Sequence, residues 1–488
     1  MYRTWVKSVE IGTFPDVKRS FQVTRCNHCA NPPCVAICPT SAMHQRADGI
    51  VDFASDACIG CKACIQACPY DAIYLDPESH TAAKCNYCVH RIDMGLEPAC
   101  VVVCPEHAIL AGDLDDPTSE IARVIARSDV AVRKPEQGTD PKLYYIDGQH
   151  AALHPTAAAA GELFAFAETR DHMIGSPGGM FRSGGRMAAD MVRVSYNVQH
   201  KVQWHWPIPA YLVTKHVAGG VAFLLAMGTF LGIPPAPEVF AGGLTLVLAC
   251  LAITIALLIY DLDRPDRFFY LLVRPQWRSW LARAAWILAS FTAIATAWWV
   301  AEVGAWSGVA PGLVGLRPIL AALALPFAVL TSIYTAFLFA QAEGRDLWQG
   351  AHLPVVMGCQ GLMLGAAPLL ALGTLPTVSS DWFEAMTGVV LLVATLTGLA
   401  ATLVGDLGIP LATEIARRAA REMSRGAFRI HYWVGITLWY VPALILWFLP
   451  IPDPFTSIET VALTLSIAVG VFLHSWALVM APQTVENS

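Results

Sequence analysis

The chain has 488 residues, of which 55% are hydrophobic and 14% are charged, and its formal net charge is −6. This composition is too apolar for an ordinary soluble enzyme and indicates a membrane protein. The basic residues form no continuous tract, which argues against a nucleic-acid-binding protein. Twelve of the 14 cysteines precede residue 205, whereas residues 206–482 are a succession of apolar runs. The sequence therefore predicts two regions with different chemistry.

Three cysteine quartets occupy the first 105 residues, and a proline follows the last cysteine of each. They are Cys26, Cys29, Cys34 and Cys38, then Cys58, Cys61, Cys64 and Cys68, and then Cys85, Cys88, Cys100 and Cys104. The middle quartet has the C-x2-C-x2-C-x3-C-P spacing of bacterial ferredoxins, in which the fourth cysteine ligates the neighbouring cluster. This spacing predicts 4Fe–4S clusters.

The ferredoxin rule pairs the first two quartets by exchanging their fourth cysteines. We expect one cluster on Cys58, Cys61, Cys64 and Cys38, and a second on Cys26, Cys29, Cys34 and Cys68. Structural zinc is an alternative, but zinc quartets usually come as two C-x2-C pairs without a proline rule. Disulfides, a further alternative, leave the repeated spacing unexplained. Because half-motifs come in pairs, the third quartet either lacks a partner or works alone.

The cysteine region resembles the electron-transfer subunit of molybdopterin oxidoreductases, such as the polysulfide, dimethyl sulfoxide and nitrite reductase systems. The resemblance rests on RCNHCANPPCVAICPTSAMHQRADGIV, ACIGCKACIQACPYDAIY and KCNYCVHRIDMGLEPACVVVCPEHAI. It implies an α+β ferredoxin-like domain with four half-motifs, the first and last of which share a cluster pair. The first half-motif is not in this chain, through a misassigned start or through genuine loss. If the chain is complete as given, the third quartet is expected to close on a third cluster.

From residue 206 onward, eight apolar runs are long enough to cross about 30 Å of hydrocarbon. They lie near residues 209–232, 237–260, 280–302, 317–341, 353–373, 383–406, 430–449 and 457–480. The predicted fold is multidomain, an α+β ferredoxin-like iron–sulfur domain followed by an all-α domain of eight transmembrane helices. We expect the cluster domain over residues 1–125, a loop-rich connector over 126–205, the membrane domain over 206–482 and a tail over 483–488.

An even number of crossings places both ends of the membrane domain on one side. The connections on that side are rich in arginine, including Arg264, Arg345 and Arg417, whereas the opposite connections hold little beyond Arg317. The positive-inside rule therefore predicts a multi-pass protein of the cell inner membrane with its cluster domain on the cytoplasmic side. Alternatively, these arginines form a docking surface for the cluster domain, on whichever side it lies.

The membrane region resembles the NrfD-type quinone-reactive anchor of polysulfide reductase. The resemblance rests on PAYLVTKHVAGGVAFL, YDLDRPDRFFYLLVRPQWRSWLARAAWIL and LTSIYTAFLFAQAEGRDLWQ, and it is strongest over the first four helices. It implies a quinone site in the first four-helix bundle, near the side that bears the clusters. Residue roles in the last four helices do not transfer, because those helices match mainly by hydrophobicity.

Five side chains are candidates for binding quinone, four near the entrance of the first helix and one in the fourth: His205, Tyr211, Lys215, His216 and Tyr334. Ionisable groups inside a bilayer are costly and are therefore functional candidates. The alternative is an interfacial belt of tryptophan, tyrosine and lysine that anchors the helix end.

The sequence suggests no functional role for four further residues. Cys250 and Cys359 lie in apolar helices and are expected to be packing residues. His474 is alone in the last helix and is also interpreted as a packing residue, and with Asp406 it makes no dense chain of ionisable groups.

The sequence thus predicts a subunit that relays electrons between a molybdopterin-containing catalytic partner and the quinone pool. The relay uses two 4Fe–4S clusters and a third one on the last quartet. The sequence predicts no substrate pocket in this chain. One alternative is a proton-translocating component of a larger respiratory complex, which a line of buried carboxylates and histidines across the last four helices would favour. A plain membrane anchor is the other. The partner's substrate, the quinone type and the direction of electron flow are not encoded in these patterns.

Overall fold

The computed structural model describes residues 3–13, 15–157, 192–196, 201–373, 381–448 and 457–487. The chain divides into two compact units. One unit, called the cluster unit here, comprises Met1–Lys201 and Glu486–Ser488, and the other, the membrane unit, comprises Val202–Val485. Much of the predicted connector, residues 158–191, lies outside the described residues.

The strands of the cluster unit form small antiparallel sheets, with a three-stranded sheet in the order β2–β1–β9 and the hairpin pairs β3–β4, β5–β6 and β7–β8. The strands are β1 Trp5–Thr13, β2 Asp16–Thr24, β3 Met43–Gln45, β4 Val51–Phe53, β5 Ile73–Leu75, β6 Ala82–Lys84, β7 Val130–Ala131, β8 Tyr145–Ile146 and β9 Val192–Tyr196. The helices are short: α1 Pro33–Ile37, α2 Ala63–Ala67, α3 Val89–Ile92, α4 Ala99–Val102, α5 Glu120–Arg127 and α6 His150–Leu153. This mixture of strands and helices confirms the predicted α+β class.

Residues 126–157 differ from the predicted connector, because they pack into the cluster unit. The Asn31 amide donates to the Thr139 carbonyl at 3.0 Å, and the Tyr70 and Thr139 hydroxyls are 2.6 Å apart. Arg133 is only 1% exposed. The segment's composition suggested a loose loop, but the segment contains the β7–β8 pair and α6, and it makes further backbone hydrogen bonds with the loop at residues 27–31.

The predicted tail, residues 483–488, is divided between the two units. Gln483 belongs to the membrane unit, where its side-chain oxygen accepts from the backbone amide of Trp204 at 3.0 Å. Asn487 belongs to the cluster unit, where its amide donates to Asp71 Oδ2 at 2.8 Å and its carbonyl accepts from Arg133 at 2.7 Å. The last described residues are therefore held by specific hydrogen bonds.

Eight helices among the described residues of the membrane unit are long and apolar enough to cross a membrane, which confirms a multi-pass protein. They are α7 Pro207–Phe230, α8 Pro237–Tyr260, α10 Trp280–Trp306, α11 Arg317–Gln341, α12 Leu353–Gly373, α13 Asp381–Leu403, α15 Arg429–Phe448 and α16 Ser457–Thr484. Two short helices, α9 Tyr270–Val273 and α14 Glu414–Ser424, lie between spans. Each span begins and ends within a few residues of its predicted bounds.

We call α7–α11 the first half of the membrane unit and α12–α16 the second half. Helix α12 contacts α7 of the first half and α13 and α16 of the second. Gly220 of α7 and Gly365 of α12 allow this contact, since a Cβ atom on either would overlap the backbone of the other helix. Small residues at such crossings let helix backbones approach within a membrane.

Candidate functional site

The three cysteine quartets share a local geometry that the sequence spacing alone does not show. The residue before the second cysteine has a positive φ in each quartet, at His28 (43°), Gly60 (68°) and Tyr87 (58°). The third residue after the last cysteine does so as well, at Ser41, Asp71 and His107. The third cysteine of each quartet is the second residue of a short helix, α1, α2 or α4. The quartets are therefore three copies of one structural motif.

The fourth cysteine of the first quartet lies with the second quartet. One cavity of the cluster unit is lined by Cys38, Cys58, Cys61 and Cys64. Backbone amides point at two of these sulfurs, from Met43 to Cys38 Sγ at 3.3 Å and from Gly60 to Cys58 Sγ at 3.5 Å. This arrangement supports the exchange of fourth ligands that the ferredoxin spacing predicts.

The complementary set also lies together. Burial raises the pKa of the Cys29 thiol to about 12, and the neighbouring Cys26 and Cys68 add to this increase. The pKa of Cys34 is raised well above its usual value by burial and then by Cys68 and Cys26. Thiolates so crowded and so poorly hydrated require a strongly cationic group among them, because a buried charge is costly unless it is compensated. The donor set therefore fits an iron–sulfur cluster.

The third quartet is more open, since all four of its thiols are only partly buried. Arg25 donates to Cys100 Sγ at 3.2 Å, and the amide of Ala108 donates to Cys104 Sγ at 3.3 Å. Arg25 is a residue that sequence reasoning missed, because no motif marks a donor from a position outside its quartet. Such donors to cluster sulfurs tune reduction potential.

The disulfide alternative does not fit this geometry. None of the 14 cysteines forms a disulfide. Within the described ranges, no three His, Cys, Asp or Glu side chains converge closely enough to hold a single metal ion.

The first half of the membrane unit buries a lysine. Lys215 of α7 is 0% exposed, and its Nζ donates to the carbonyls of Thr331 and Ser332, each at 3.1 Å. A third hydrogen bond reaches the Thr335 hydroxyl at 2.8 Å. The same Nζ lies 4.3 Å from the centroid of the Tyr334 ring. All three ammonium protons therefore have acceptors on α11, and Lys215 positions Tyr334 by a cation–π contact.

Three buried polar atoms beside Lys215 have no hydrogen-bond partner of normal geometry: His216 Nδ1, Thr331 Oγ1 and the Tyr334 hydroxyl. The other ring nitrogen of His216, Nε2, lies 2.9 Å from the Ser332 carbonyl. Because a carbonyl only accepts, Nε2 carries the proton, and Nδ1 of the neutral ring is an acceptor. Native proteins rarely leave buried polar groups unsatisfied, so such a group calls for an explanation, such as a ligand or an unseen water.

The other two candidates for the quinone site differ in location. Tyr211 is 2% exposed and precedes Lys215 by one helical turn, so it shares the buried face of α7. His205 is exposed and precedes the first residue of α7, Pro207. The structure thus brings Lys215, His216 and Tyr334 together around α11, and it leaves His205 at the surface.

A second polar cluster in the membrane unit was missed by sequence reasoning. His352 Nε2 lies 2.9 Å from Asp406 Oδ1, while the Tyr432 hydroxyl and His474 Nε2 lie 3.2 Å and 3.4 Å from Asp406 Oδ2. His474 is therefore not the isolated packing residue that the sequence suggested. Sequence reasoning did not join these residues because they lie on four separate elements. Cys250 and Cys359 are buried in their helices, as expected of packing residues.

The family comparisons agree with this division into a cluster unit and a membrane unit. Residues 17–114 match a 4Fe-4S dicluster domain, and residues 194–486 match the family described as polysulphide reductase, NrfD. A subunit of tetrathionate reductase from Salmonella typhimurium is 47% identical over 137 residues, which are 28% of this chain and 55% of that protein. A subunit of polysulfide reductase from Wolinella succinogenes is 42% identical over 154 residues, 31% of this chain and 80% of that protein.

Each of these relatives matches less than a third of this chain, and the chain spans little more than half the length of the tetrathionate reductase subunit. The predicted resemblance is confirmed in both parts: an iron–sulfur domain of the reductase-subunit type is joined to an NrfD-type membrane domain. The NrfD match covers more than half of the residues. The chain therefore belongs to the polysulphide reductase NrfD family, in a form fused to an iron–sulfur electron-transfer subunit.

Proposed function

We propose that this protein passes electrons between a molybdopterin-containing catalytic subunit and the quinone pool, and that it carries the quinone half-reaction itself. The observation that carries this proposal is the set of three unsatisfied polar atoms around Lys215 in the first half of the membrane unit. A second candidate function, proton transfer, is favoured by the cluster around Asp406. A plain anchor would leave the unsatisfied atoms unexplained.

The cluster unit supports the electron relay. We assign one 4Fe–4S cluster to Cys38, Cys58, Cys61 and Cys64, a second to Cys26, Cys29, Cys34 and Cys68, and a third to Cys85, Cys88, Cys100 and Cys104. Bound there, such clusters supply one-electron transfer at potentials set by hydrogen bonds and solvent exposure. Backbone amides on Cys38 and Cys58 and the guanidinium of Arg25 on Cys100 are the groups that set these potentials here.

The first half of the membrane unit supports quinone chemistry. Oxidation of a quinol releases two electrons and two protons, so each quinol oxygen needs a hydrogen-bonding group that can accept a proton. The unpaired Nδ1 of His216 is such an acceptor, and the Tyr334 hydroxyl can bind the second oxygen. Lys215 has no spare proton and holds Tyr334 in place. We therefore keep Tyr211, His216 and Tyr334 as groups that contact quinone and make Lys215 a positioning residue.

The proposed catalytic partner rests on the relatives. Those matched by the iron–sulfur region are named as subunits of tetrathionate and polysulfide reductases, which supports a separate catalytic subunit for this chain. The cytoplasmic location of the cluster unit remains our proposal from the arginine-rich connections. A reporter fused after residue 488 is expected to be active in the cytoplasm, and activity in the periplasm would contradict that location.

The test of quinone chemistry is Tyr334→Phe in the full chain with its catalytic partner. The change removes one hydroxyl that has no well-formed protein hydrogen bond, so the fold should be unaffected. We expect cluster-to-quinone transfer to slow roughly ten- to a hundredfold, as a lost hydrogen bond of about 1–3 kcal/mol implies. Reduction of the clusters by the partner should be unchanged.

The matched control is Tyr440→Phe, since the Tyr440 hydroxyl already has a protein partner in Thr402 at 2.9 Å. It should leave quinone transfer unchanged. If Tyr334→Phe and Tyr440→Phe behave alike in the quinone step, the unsatisfied hydroxyl has no role in it, and the plain anchor is favoured.

A further inference from the structure

The second half of the membrane unit contains a buried carboxylate whose partners are all able to titrate. We call His352, Asp406, Tyr432 and His474 the Asp406 cluster. Both oxygens of the carboxylate are engaged, Oδ1 by His352 and Oδ2 by Tyr432 and His474. The rings of Tyr432 and Trp439 lie 5.6 Å and 5.3 Å from that of His474, so aromatic side chains surround the inner part of the cluster.

The partners of Asp406 differ in kind from those of another buried carboxylate in the same unit. Glu302 is 4% exposed and accepts from Arg317 Nε at 2.7 Å and Nη2 at 2.6 Å. Arginine does not lose its proton in proteins, so that pair holds a fixed charge. The counter-groups of Asp406 are two imidazoles and a phenol, each of which can exchange a proton. The charge of the Asp406 cluster can therefore change by one, whereas that of Glu302 and Arg317 cannot.

Exposure falls from one end of the cluster to the other. The side chain of His352 is 15% exposed, whereas those of Asp406 and His474 are 5% and 2% exposed. The far nitrogen of His474, Nδ1, is buried without a hydrogen-bond partner. The cluster therefore connects a surface-accessible imidazole, through a shared carboxylate, to an inner imidazole with an unused acceptor or donor.

The backbone around the cluster is shaped to bring these groups together. Asp406 lies in a single π-helical turn, Val404–Gly408, that ends α13, and such turns are frequent at functional sites. A Cβ atom on Gly405 would overlap the His352 ring. Gly435 and Gly470 let α15 and α16 approach so closely that a Cβ atom on Gly435 would lie 2.6 Å from the His474 amide. Close approach is needed for Tyr432 and His474 to reach one carboxylate.

Most other ionisable groups on the packed elements are at least partly exposed, whereas Arg345 and Tyr440 are buried. These groups are Arg345 and Asp346 before α12, Glu414, Arg417, Arg418, Arg421 and Glu422 of α14, and Arg429, His431 and Tyr440 of α15. Arg345 is engaged by the carbonyls of Pro482 and Val485. The hydrogen bonds and ion pairs described for Asp406 itself reach none of these groups.

We propose that the Asp406 cluster is a proton-exchange site, a function beyond the electron relay and quinone reaction. A proton from water binds the His352 imidazole, and the proton of its Nε2 passes to Asp406 Oδ1. Rotation of the neutral carboxyl group then presents this proton to Nε2 of His474 in its Nδ1–H tautomer, and His474 releases the proton of its buried Nδ1, so that one proton enters and one leaves. No electron moves in these steps, and the charge of the cluster rises by one when the proton enters and falls by one when it leaves.

The test is pH-difference infrared spectroscopy of the full chain in lipid nanodiscs, without quinone. On a change of pH, wild type should show bands of the Asp406 carboxyl group and of its histidine partners that change together. Asp406→Asn should lose these changes. Glu302→Gln, which alters a buried carboxylate with a fixed arginine partner, should keep them. Identical difference spectra for wild type and Asp406→Asn would overturn the proposal.

A second variant keeps the proposal testable if Asp406→Asn does not fold. In His352→Gln, the glutamine amide can donate to Asp406 as Nε2 does, but it cannot carry a proton inward. We expect proton uptake after a pH jump to slow at least about tenfold. The absorbance of the iron–sulfur clusters and the thermal unfolding of the protein should be unchanged. Uptake at the wild-type rate in His352→Gln would overturn the entry route and the proposal with it. Because quinone is absent throughout, the outcome is independent of the quinone assignment.

Discussion

The two halves of the membrane unit bury ionisable side chains in opposite ways. In the first half, Lys215 satisfies its charge on the backbone of α11 and leaves neighbouring polar atoms without partners. In the second half, Asp406 is surrounded by side chains that share its charge. We propose a ligand for the unsatisfied atoms beside Lys215 and a proton for the carboxylate that several side chains share. One fold can thus hold a ligand site and a proton site without mixing them.

The largest effect is expected from the loss of one iron–sulfur cluster, which should stop the quinone reaction of the first half and leave the second half unchanged. Cys38→Ser and Cys58→Ser should each destroy the same 4Fe–4S cluster, because both thiols line one cavity despite belonging to different quartets. Nearly all quinol-linked turnover should be lost, while the pH-dependent bands of the Asp406 cluster stay as in wild type. Iron and sulfide analysis with electron paramagnetic resonance identifies the cluster that is lost. Cys250→Ser, a packing cysteine, is the control, and loss of different clusters in the two variants would contradict the shared site.

A smaller effect is expected from Lys215→Met, which removes the buried ammonium and keeps a side chain of similar length. The carbonyls of Thr331 and Ser332 lose their donor, which should lower stability by roughly 1–3 kcal/mol. We expect a lower melting temperature in nanodiscs together with slower quinone transfer. Tyr334→Phe, in contrast, should slow transfer without changing the melting temperature. An unchanged melting temperature in Lys215→Met would show that Lys215 does not hold α7 and α11 together.

The smallest effect is expected from a glycine substitution in the second half of the membrane unit. Gly405→Ala should push the His352 ring away from Asp406, at a cost of about 1–3 kcal/mol for an overfilled site. Proton uptake should slow as in His352→Gln, and quinone transfer should be unaffected. The control is Gly408→Ala in the same turn, where a Cβ atom would meet Val404 at an ordinary 3.7 Å. Equal proton-uptake rates in the two glycine variants would show that the position of His352 does not matter.

Cysteine ligation and membrane crossing were the features most accessible from the sequence. A thiol quartet within 13 residues, such as Cys26 to Cys38, is local, so its spacing reflects the turn that it forms. An apolar run such as that of α8 reflects a solvent requirement that acts on each residue separately. Both features depend on neighbours in the sequence. The predicted span bounds therefore agree closely with the observed ones.

The composition of residues 126–157 led to a wrong expectation of a loose connector, because composition reports only on neighbours in the sequence. Pro, Gly and polar residues correctly indicated little regular structure, but the hydrogen bonds of this segment reach partners far away in the sequence, as those between Asn31 and Thr139 do. The candidate sites show the contrast again. The sequence placed Lys215 and Tyr334 in one predicted quinone site, but their contact depends on the crossing of α7 and α11.

What the sequence by itself determined is the list of groups: twelve thiols in three quartets, eight spans and a few ionisable residues inside them. What the tertiary structure decided is which of these groups meet. Asp406 and His474 are 68 positions apart, and His352 is 54 positions before Asp406. Glycine contacts at Gly405, Gly435 and Gly470 bring them within hydrogen-bonding distance. Helix packing is a property of surfaces and not of periodicity, so the same residues appear isolated when the sequence alone is considered.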